Sequence, residues 1–221
     1  MPEVRFTLVD FPRQPHSIYP LLFLTGADTY KVSFHGITSN TNQLNYINNQ
    51  SYTNGIFHRS IPGFVIQGGG FKIANNTLTA VETFPPIENE FKISNTRGTL
   101  AMAKVGGNPN SATSQWFVNL ADNSANLDNQ NGGFTVFGRV IFDGMNVIDS
   151  IENLPVPKLG GNLDLAPTIN YDGVQLLVSN LVQTTNVEVT EVSGVFNDGF
   201  LSFSVDIGGG EFFNVSLQLI E

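Results

Sequence analysis

The chain of 221 residues contains no cysteine, few charged residues and no long apolar run. The absence of cysteine excludes disulfides, thiolate catalysis and cysteine-based zinc sites. No stretch approaches the roughly 20 apolar residues of a membrane-spanning helix, so we expect no membrane span. Charged residues make up only 13% of the chain, about half of the usual share of roughly 25%. Asn, Thr, Ser and Gly take their place, which favours β-structure and loops over long surface helices.

Basic residues are missing from the C-terminal part of the chain. All ten lysines and arginines lie at or before Lys158, whereas residues 159–221 carry eight acidic residues. This tail therefore carries most of the net charge of −9. Because no basic patch is available to neutralise phosphates, we exclude nucleic acid as a partner. The N-terminus lacks a secretory signal. The acidic, lysine-poor composition slightly favours a periplasmic or secreted bacterial protein with its signal removed over a cytoplasmic one.

Short strand-like runs, separated by Gly, Asn, Asp and Pro, dominate the chain. Many short strands at this spacing indicate a closed barrel or a sandwich. We predict strands at Val4–Val9, Gly55–His58, Gly63–Gln67, Thr99–Lys104, Gln115–Leu120, Phe134–Val140, Val174–Val178 and Leu181–Val192.

Two segments have apolar residues at helical spacing. Leu44 and Ile47 predict a helix over Thr41–Asn49, with Ser39, Asn40 or Thr41 as its N-cap. Met145, Ile148 and Ile151 predict a second helix over Gly144–Glu152, which Leu154-Pro155 ends. The last stretch, Gly194–Ile220, alternates apolar and polar residues around glycine-rich turns and predicts β-hairpins. We therefore expect a main domain over residues 1–192 and an acidic, β-rich extension over residues 193–221.

The usual catalytic signatures are absent. His16, His35 and His58 are scattered, and no G-x-S-x-G or H-E-x-x-H motif occurs. The run Gly68–Gly70 lacks the G-K-[ST] of a phosphate-binding loop, and we interpret it as a turn at a strand end. An enzyme with this sequence would need neither a nucleophile nor a metal, and we predict no cofactor.

Four blocks, in this order, resemble the cyclophilin family of peptidyl-prolyl cis-trans isomerases. They are FHRSIPGFVIQGGGF (57–71), NTRGTLAMAK (95–104), SATSQWFVNL (111–120) and FTVFGRVIFDGMNVID (134–149). The GGG ending and the block NTRGTLAMA resemble the bacterial branch. The resemblance covers Thr38–Ile151, is vague over Val4–Gly36 and is absent from the C-terminus. It implies a closed eight-stranded antiparallel barrel capped by two short α-helices, followed here by the hairpin extension.

The resemblance also implies the residues of the site. Arg59 would donate hydrogen bonds near the prolyl nitrogen and carbonyl, and Gln67 would orient Arg59. Apolar residues would hold the proline ring, and a groove would accept the residues before it. The predicted catalytic residues are Arg59, Phe64 and Gln67, and the predicted substrate-binding residues are Val65, Ala103, Lys104, Gln115, Phe117, Leu127 and Phe134.

Two positions depart from the family pattern. Asn126 lies where many eukaryotic members carry a tryptophan that contacts cyclosporin, so we predict weak or no cyclosporin binding. Phe134 lies where many family members carry a histidine or a tyrosine. The phenylalanine adds apolar surface to the pocket and lacks the polar group of those residues. Neither change removes Arg59 or the apolar floor.

The expected activity is acceleration of X–Pro rotation in protein folding, on proline-containing polypeptides and by a monomer. One alternative is a binding module that holds proline-containing segments without turnover. The intact set of Arg59, Phe64, Gln67 and Phe117 argues against it. Another is an adhesion or carbohydrate-binding β-domain, which the Asn- and Thr-rich composition and the β-rich tail support but which leaves the FHR block unexplained.

Overall fold

The computed structural model describes residues 20–25, 28–34, 38–141, 144–189, 194–197, 200–208 and 211–218. In these ranges the protein is mainly β, with fifteen strands and three short α-helices. In chain order they are β1 (Pro20–Thr25), β2 (Asp28–Phe34), α1 (Thr38–Asn48), β3 (Gly55–Ile56), β4 (Arg59–Ile61), β5 (Val65–Gly68), β6 (Phe71–Ala74), β7 (Thr77–Ala80), β8 (Thr99–Met102), β9 (Trp116–Asn119), α2 (Ser124–Leu127), β10 (Val136–Ile141), α3 (Gly144–Glu152), β11 (Gln183–Thr184), β12 (Asn186–Val189), β13 (Gly194–Asn197), β14 (Phe200–Gly208) and β15 (Glu211–Gln218).

The strands form three antiparallel sheets. The largest has eight strands in the order β12-β1-β2-β10-β8-β9-β5-β4, and a second has the order β11-β3-β6-β7. Strands β13, β14 and β15 form the third sheet, in the region where hairpins are predicted. Within the described residues no pairing joins the outermost strands β12 and β4, so closure of the barrel stays a prediction.

The central strands of the large sheet have two apolar faces. Successive residues of a strand point to opposite faces. Leu100, Met102 and Val118 therefore join the main core, together with residues of α1 and α3. Their neighbours Ala101 and Phe117 belong to a second, smaller cluster. The second face carries the candidate site.

Helix α3 has the predicted bounds, but α1 begins at Thr38, three residues before the predicted start. The prediction that Ser39, Asn40 or Thr41 is the N-cap is wrong. Instead, the Glu90 carboxylate accepts hydrogen bonds from the backbone N–H groups of Thr38 and Ser39, at 3.4 and 3.0 Å. This cap lies 51 residues away in the chain, so local sequence does not reveal it.

The predicted strand Gly55–His58 is wrong in its bounds, because β3 ends at Ile56 and the chain then crosses to the large sheet. Gly55–Ile56 pairs with β6 and β11, whereas pairing with β5 begins at Arg59. The other half of that predicted pair, Gly63–Gln67, overlaps β5. Thr99–Lys104, Gln115–Leu120 and Phe134–Val140 overlap β8, β9 and β10. Val4–Val9 lies outside the described residues.

Two predictions near the end of the main domain also fail. Val174–Leu177 is a loop, and Val178 begins a short 3-10 helix. The side chains of Asp172 and Asn180 accept hydrogen bonds from the N–H groups of Val174 and Leu177, at 2.9 and 2.8 Å. These local bonds compete with strand pairing. Leu181–Val192 is divided into β11 and β12, which join different sheets. The short helix α2 and the hairpin of β6 and β7 were not predicted.

The glycine run Gly68–Gly70 is required by close packing rather than only by a turn. Gly69 has a φ of +78°, and a Cβ there would lie 2.4 Å from the Ser114 carbonyl oxygen. A Cβ on Gly70 would lie 3.0 Å from both the Gln115 amide carbon and the His58 ring. Among the described residues, no helix is both long and apolar enough to cross a lipid bilayer.

Candidate functional site

A row of directly opposed residues crosses five strands on the second face of the large sheet. Arg59 on β4 faces Gln67 on β5, and Gln67 faces Phe117 on β9. Phe117 in turn faces Ala101 on β8, which faces Val136 on β10. The backbone register therefore places a cation, an amide and three apolar side chains side by side.

The apolar end of this row is covered by Leu127 of helix α2 and by Phe134, which lies two residues before β10. Buried members of the cluster are Val65, Ala101, Phe117, Leu127 and Val136, and the partly buried members are Phe64, Ala103 and Phe134. The rings of Phe117 and Phe134 meet edge to face, with centroids 5.7 Å apart and an interplanar angle of 69°. The cluster thus presents partly exposed aromatic rings above a buried apolar floor.

The polar end of the row is a chain of hydrogen bonds. Arg59 Nη1 donates to Gln67 Oε1 at 3.4 Å, and Gln67 Nε2 donates to Gln115 Oε1 at 2.8 Å. Burial lowers the pKa of Arg59, yet a guanidinium stays charged at neutral pH. In the part of the chain that the structure describes, no carboxylate forms an ion pair with it. Its remaining donors are therefore available to a ligand.

His58 lies beside these hydrogen-bonded side chains but carries no charge at neutral pH. Burial lowers its pKa to about 4, Gln115 opposes this through a hydrogen bond, and the positive charge of Arg59 adds to the lowering. The His58 ring packs edge-on against Phe71, with centroids 5.2 Å apart. Arg59 is therefore the local source of positive charge.

A buried network of amides holds the walls of the apolar cluster. Asn119 Nδ2 donates to Asn95 Oδ1 at 3.2 Å, and Asn123 Nδ2 donates to Asn119 Oδ1 at 2.8 Å. The network ends on the walls, because Asn123 Nδ2 donates to the Phe64 carbonyl at 2.8 Å and Asn95 Nδ2 donates to the Phe134 carbonyl at 3.0 Å. We did not predict this network. The only sequence signal is an asparagine within an otherwise apolar strand, at position 119.

The network also fixes helix α2. Asn95 donates from its backbone N–H and its side chain to the same carboxylate oxygen of Asp128, both at 2.9 Å. The Leu127 N–H donates to the Asn123 carbonyl at 2.8 Å, and the Phe134 N–H donates to the Leu127 carbonyl at 3.0 Å. Leu127 is thereby fixed in the apolar cluster with Phe117, although α2 is only four residues long.

The Lys104 side chain turns toward the loop before Phe134. Its Nζ donates to the carbonyls of Asn131 and Gly133, at 2.8 and 2.6 Å, and lies 4.8 Å from the centroid of the Phe134 ring. Asn131, Gly132 and Gly133 all have positive φ, an unusual run that the ammonium stabilises through the carbonyls of Asn131 and Gly133. The side chain thus supports the aromatic wall.

The structure brings the ten predicted residues onto this one face. Arg59, Gln67 and Gln115 form the hydrogen-bonded chain, Phe64, Val65, Ala103, Phe117, Leu127 and Phe134 form the apolar cluster, and Lys104 lies against Phe134. Asn126 is exposed on α2, one residue before Leu127. Among the described residues, no group of three or more His, Asp or Glu side chains could hold a metal ion.

Comparison with known proteins agrees with the resemblance in the sequence. A family model described as cyclophilin type peptidyl-prolyl cis-trans isomerase/CLD matches residues 38–170. The chain is 48% identical over 118 residues to a peptidyl-prolyl cis-trans isomerase of Acinetobacter baylyi, covering 52% of this chain and 60% of that protein. It is 42% identical over 130 residues to peptidyl-prolyl cis-trans isomerase B of Escherichia coli, covering 56% and 76%. These relatives are bacterial, as the GGG block predicts, and the chain spans less than two thirds of the A. baylyi protein.

The fold is similar to solved structures as well. The crystal structure of a Cryptosporidium parvum cyclophilin type peptidyl-prolyl cis-trans isomerase superposes with a TM-score of 0.57 at 22% identity, covering 78% of this chain and 98% of that chain. A second structure of that protein, determined in the presence of the dipeptide Ala-Pro, gives the same TM-score at 23% identity. The prediction of a mainly β, cyclophilin-like fold with few short helices is confirmed.

Proposed function

The chain belongs to the cyclophilin type peptidyl-prolyl cis-trans isomerase family, and on that basis we propose that it accelerates rotation about X–Pro peptide bonds. The observation that carries the proposal is the row from Arg59 through Gln67 to Phe117, which sets a charged donor beside an apolar cluster. The reaction requires both of these elements.

The barrier to X–Pro rotation comes from amide resonance and amounts to about 18–20 kcal/mol. A catalyst lowers it by withdrawing the nitrogen lone pair from conjugation while it holds one side of the bond. We propose that the Arg59 guanidinium donates hydrogen bonds near the prolyl nitrogen and carbonyl and so stabilises the twisted transition state. Gln67 would hold Arg59 in position through the bond at 3.4 Å. No proton transfer or covalent intermediate is needed.

The apolar cluster would hold the other part of the substrate. A pyrrolidine ring is apolar and flat enough to pack against Phe117 and Val65, with Phe64, Leu127 and Phe134 as walls. Ala103 directly follows β8 and Gln115 directly precedes β9, and the Ala103 N–H donates to the Gln115 carbonyl at 2.9 Å. These residues would accept the substrate residues before proline. The amide network would keep the walls fixed while the peptide rotates.

We also propose the organisation that this activity implies. The barrel would be closed and would comprise residues 1–192, with residues 193–221 as a separate β-rich extension. Proline-containing polypeptides would be the substrates, in line with the relative that was crystallised with Ala-Pro.

A binding module without turnover is the second candidate, since the same surface can hold proline without accelerating rotation. One experiment separates the two. Isomerisation of an Ala-Pro-Phe reporter peptide is measured at low temperature, where the uncatalysed reaction takes minutes, and peptide binding is measured on the same sample. We expect fast, saturable catalysis by the wild type and a loss of affinity in the Phe117→Ala variant. If a folded wild type binds the peptide but does not accelerate its isomerisation, the binding module is the correct function.

A further inference from the structure

Helix α3 carries both of its acidic residues, Asp149 and Glu152, near its C-terminal end, and its last turn has no basic residue. The dipole of a helix disfavours negative charge at this end. Residues three positions apart are neighbours on the helix surface, where two like charges also repel each other. Two carboxylates in this unfavourable place are explained if each of them binds a group outside the helix.

Asp149 connects the end of α3 to the backbone of Phe64. Both of its carboxylate oxygens accept hydrogen bonds from Arg97 Nη2 at 2.8 Å, and Arg97 Nη1 donates to the Leu120 carbonyl at 2.6 Å. The Leu120 N–H in turn donates to the Phe64 carbonyl at 2.9 Å. The helix end is therefore fixed relative to the carbonyl side of Phe64.

Glu152 reaches the chain on the other side of Phe64. Its Oε1 accepts a hydrogen bond from the Gly63 N–H at 2.7 Å. Gly63 lies in the turn Ile61–Phe64, whose last N–H donates to its first carbonyl at 2.9 Å. The φ of Gly63 is +71°, as a type II turn with Pro62 before it requires. Pro62 and Gly63 are exposed, so little packing holds the tip of this turn and the carboxylate supplies an anchor.

The turn matters for the site because Phe64 is its last residue. Phe64 is a partly buried member of the apolar cluster. Its carbonyl is held by the Leu120 N–H and by Asn123 Nδ2, whereas its N–H side is held by the turn. Loss of the Glu152 contact would free the turn and, with it, the Phe64 ring.

We propose that Glu152 is a positioning residue of the site, which holds the Phe64 ring in place through the Gly63 N–H. The proposal rests on the proposed function, because that function assigns Phe64 to the proline pocket. Glu152 acts through Phe64, so its removal should weaken the pocket only while the Phe64 ring is present. We expect kcat/KM to fall about two- to tenfold, the effect of one hydrogen bond.

The test measures kcat/KM and Kd for the Ala-Pro-Phe reporter peptide at low temperature, on variants that urea unfolding shows to be folded. The variants are Glu152→Ala, Glu152→Gln, Phe64→Ala and the double variant of Glu152→Ala with Phe64→Ala. Asp172→Ala is the matched control. The Asp172 carboxylate also accepts a backbone N–H, that of Val174 at 2.9 Å, but it lies outside the row and the apolar cluster.

Glu152→Ala should show the expected loss, whereas Glu152→Gln, which keeps an oxygen acceptor, and Asp172→Ala should keep at least about half of the wild-type kcat/KM. In the Phe64→Ala background, Glu152→Ala should cause no further loss, because the ring that it positions is gone. A Glu152→Ala variant as active as the wild type would overturn the proposal. So would a loss of the same size in the Phe64→Ala background, since Glu152 would then act on stability or on another group.

NMR tests the contact itself. The amide proton of Gly63 should move to lower chemical shift in the wild type when acid protonates Glu152, because a neutral carboxyl is a weaker acceptor than a carboxylate. In Glu152→Gln it should stay in place, and a wild-type resonance that ignores pH would contradict the contact. If a folded wild type accelerates no isomerisation, the proposed function fails. The Kd values then decide the positioning role, which requires Glu152→Ala to raise Kd only while Phe64 is present.

Discussion

Asn95 lies at the centre of the amide network, and its replacement tests whether that network holds the site together. The residue is fully buried. Its side chain donates to Asp128 and to the Phe134 carbonyl and accepts from Asn119. Asn95→Ala would leave the Phe134 carbonyl without this donor and would create a small cavity. Each buried polar group that loses its partner costs about 1–3 kcal/mol, so we expect the free energy of unfolding to fall by about 2–4 kcal/mol.

The isosteric variant Asn95→Asp sharpens the test. It would place a carboxylate oxygen where Nδ2 now lies 2.9 Å from the Asp128 carboxylate. Two carboxylates at this distance cannot both ionise readily, so the pKa of the pair is raised in the folded state. A raised folded-state pKa means that stability is present at low pH and is lost as pH rises through that pKa. Asn95→Asp should therefore be more stable near pH 4 than at pH 7, relative to the wild type.

Urea unfolding at both pH values measures these effects, and Asn153→Ala serves as a control because the Asn153 side chain bonds on the exposed surface. The same samples are assayed for isomerisation of the reporter peptide. A fall of less than about 0.5 kcal/mol for Asn95→Ala, typical of a surface change, would refute the reasoning. So would a pH dependence of Asn95→Asp that follows the wild type.

Three further predictions concern the surroundings of the site. Lys104→Met should raise the KM of the reporter peptide about three- to tenfold with little change in kcat, because the Phe134 wall loosens while Arg59 stays. Lys104→Arg should keep most of the affinity. An equal loss of kcat in the Lys104→Met and Lys104→Arg variants would contradict the proposal that Lys104 supports Phe134. The pKa of His58 is about 4 when folded and near 6.5 when unfolded, so neutral His58 stabilises the fold above pH 6.5, and this is lost toward pH 4. Between pH 7 and 4, the free energy of unfolding of the wild type, measured with urea, should thus fall by on the order of 3 kcal/mol more than that of His58→Gln. An equal fall for both proteins would contradict this prediction. Calorimetry should detect weak or no cyclosporin binding because Asn126 lacks an indole, and a tight complex would overturn that prediction.

Prediction from the sequence worked where a pattern is local. Helix α3 has its predicted bounds because Ile148 and Ile151 are buried at the spacing that the sequence displays. Helix α1 buries Ser39, Asn42 and Gln43 beside Tyr46 and Ile47, so three polar residues obscure its buried face. Its N-terminal cap comes from Glu90, 51 residues further along the chain. A long-range cap and a polar buried face leave no local pattern.

The site shows the same division. The four blocks suggested nine of the ten predicted site residues through resemblance, and the register of the sheet places Arg59, Gln67 and Phe117 side by side. The side-chain bonds of Asn95 and the Lys104 contacts with the loop were not predictable, since they join residues that lie 24 to 39 positions apart. Asparagine and lysine are also common on surfaces, so their types gave no indication of burial.

The central claim is that Arg59 supplies the transition-state stabilisation, and the most direct test compares reporter-peptide isomerisation by the wild type and Arg59→Ala at low temperature. A charge-assisted hydrogen bond contributes about 1.5–3 kcal/mol, and about 1.4 kcal/mol corresponds to a tenfold rate. We predict that kcat/KM falls about tenfold to a hundredfold in a variant that remains folded and still binds the peptide. Full activity of a folded Arg59→Ala variant would contradict the account.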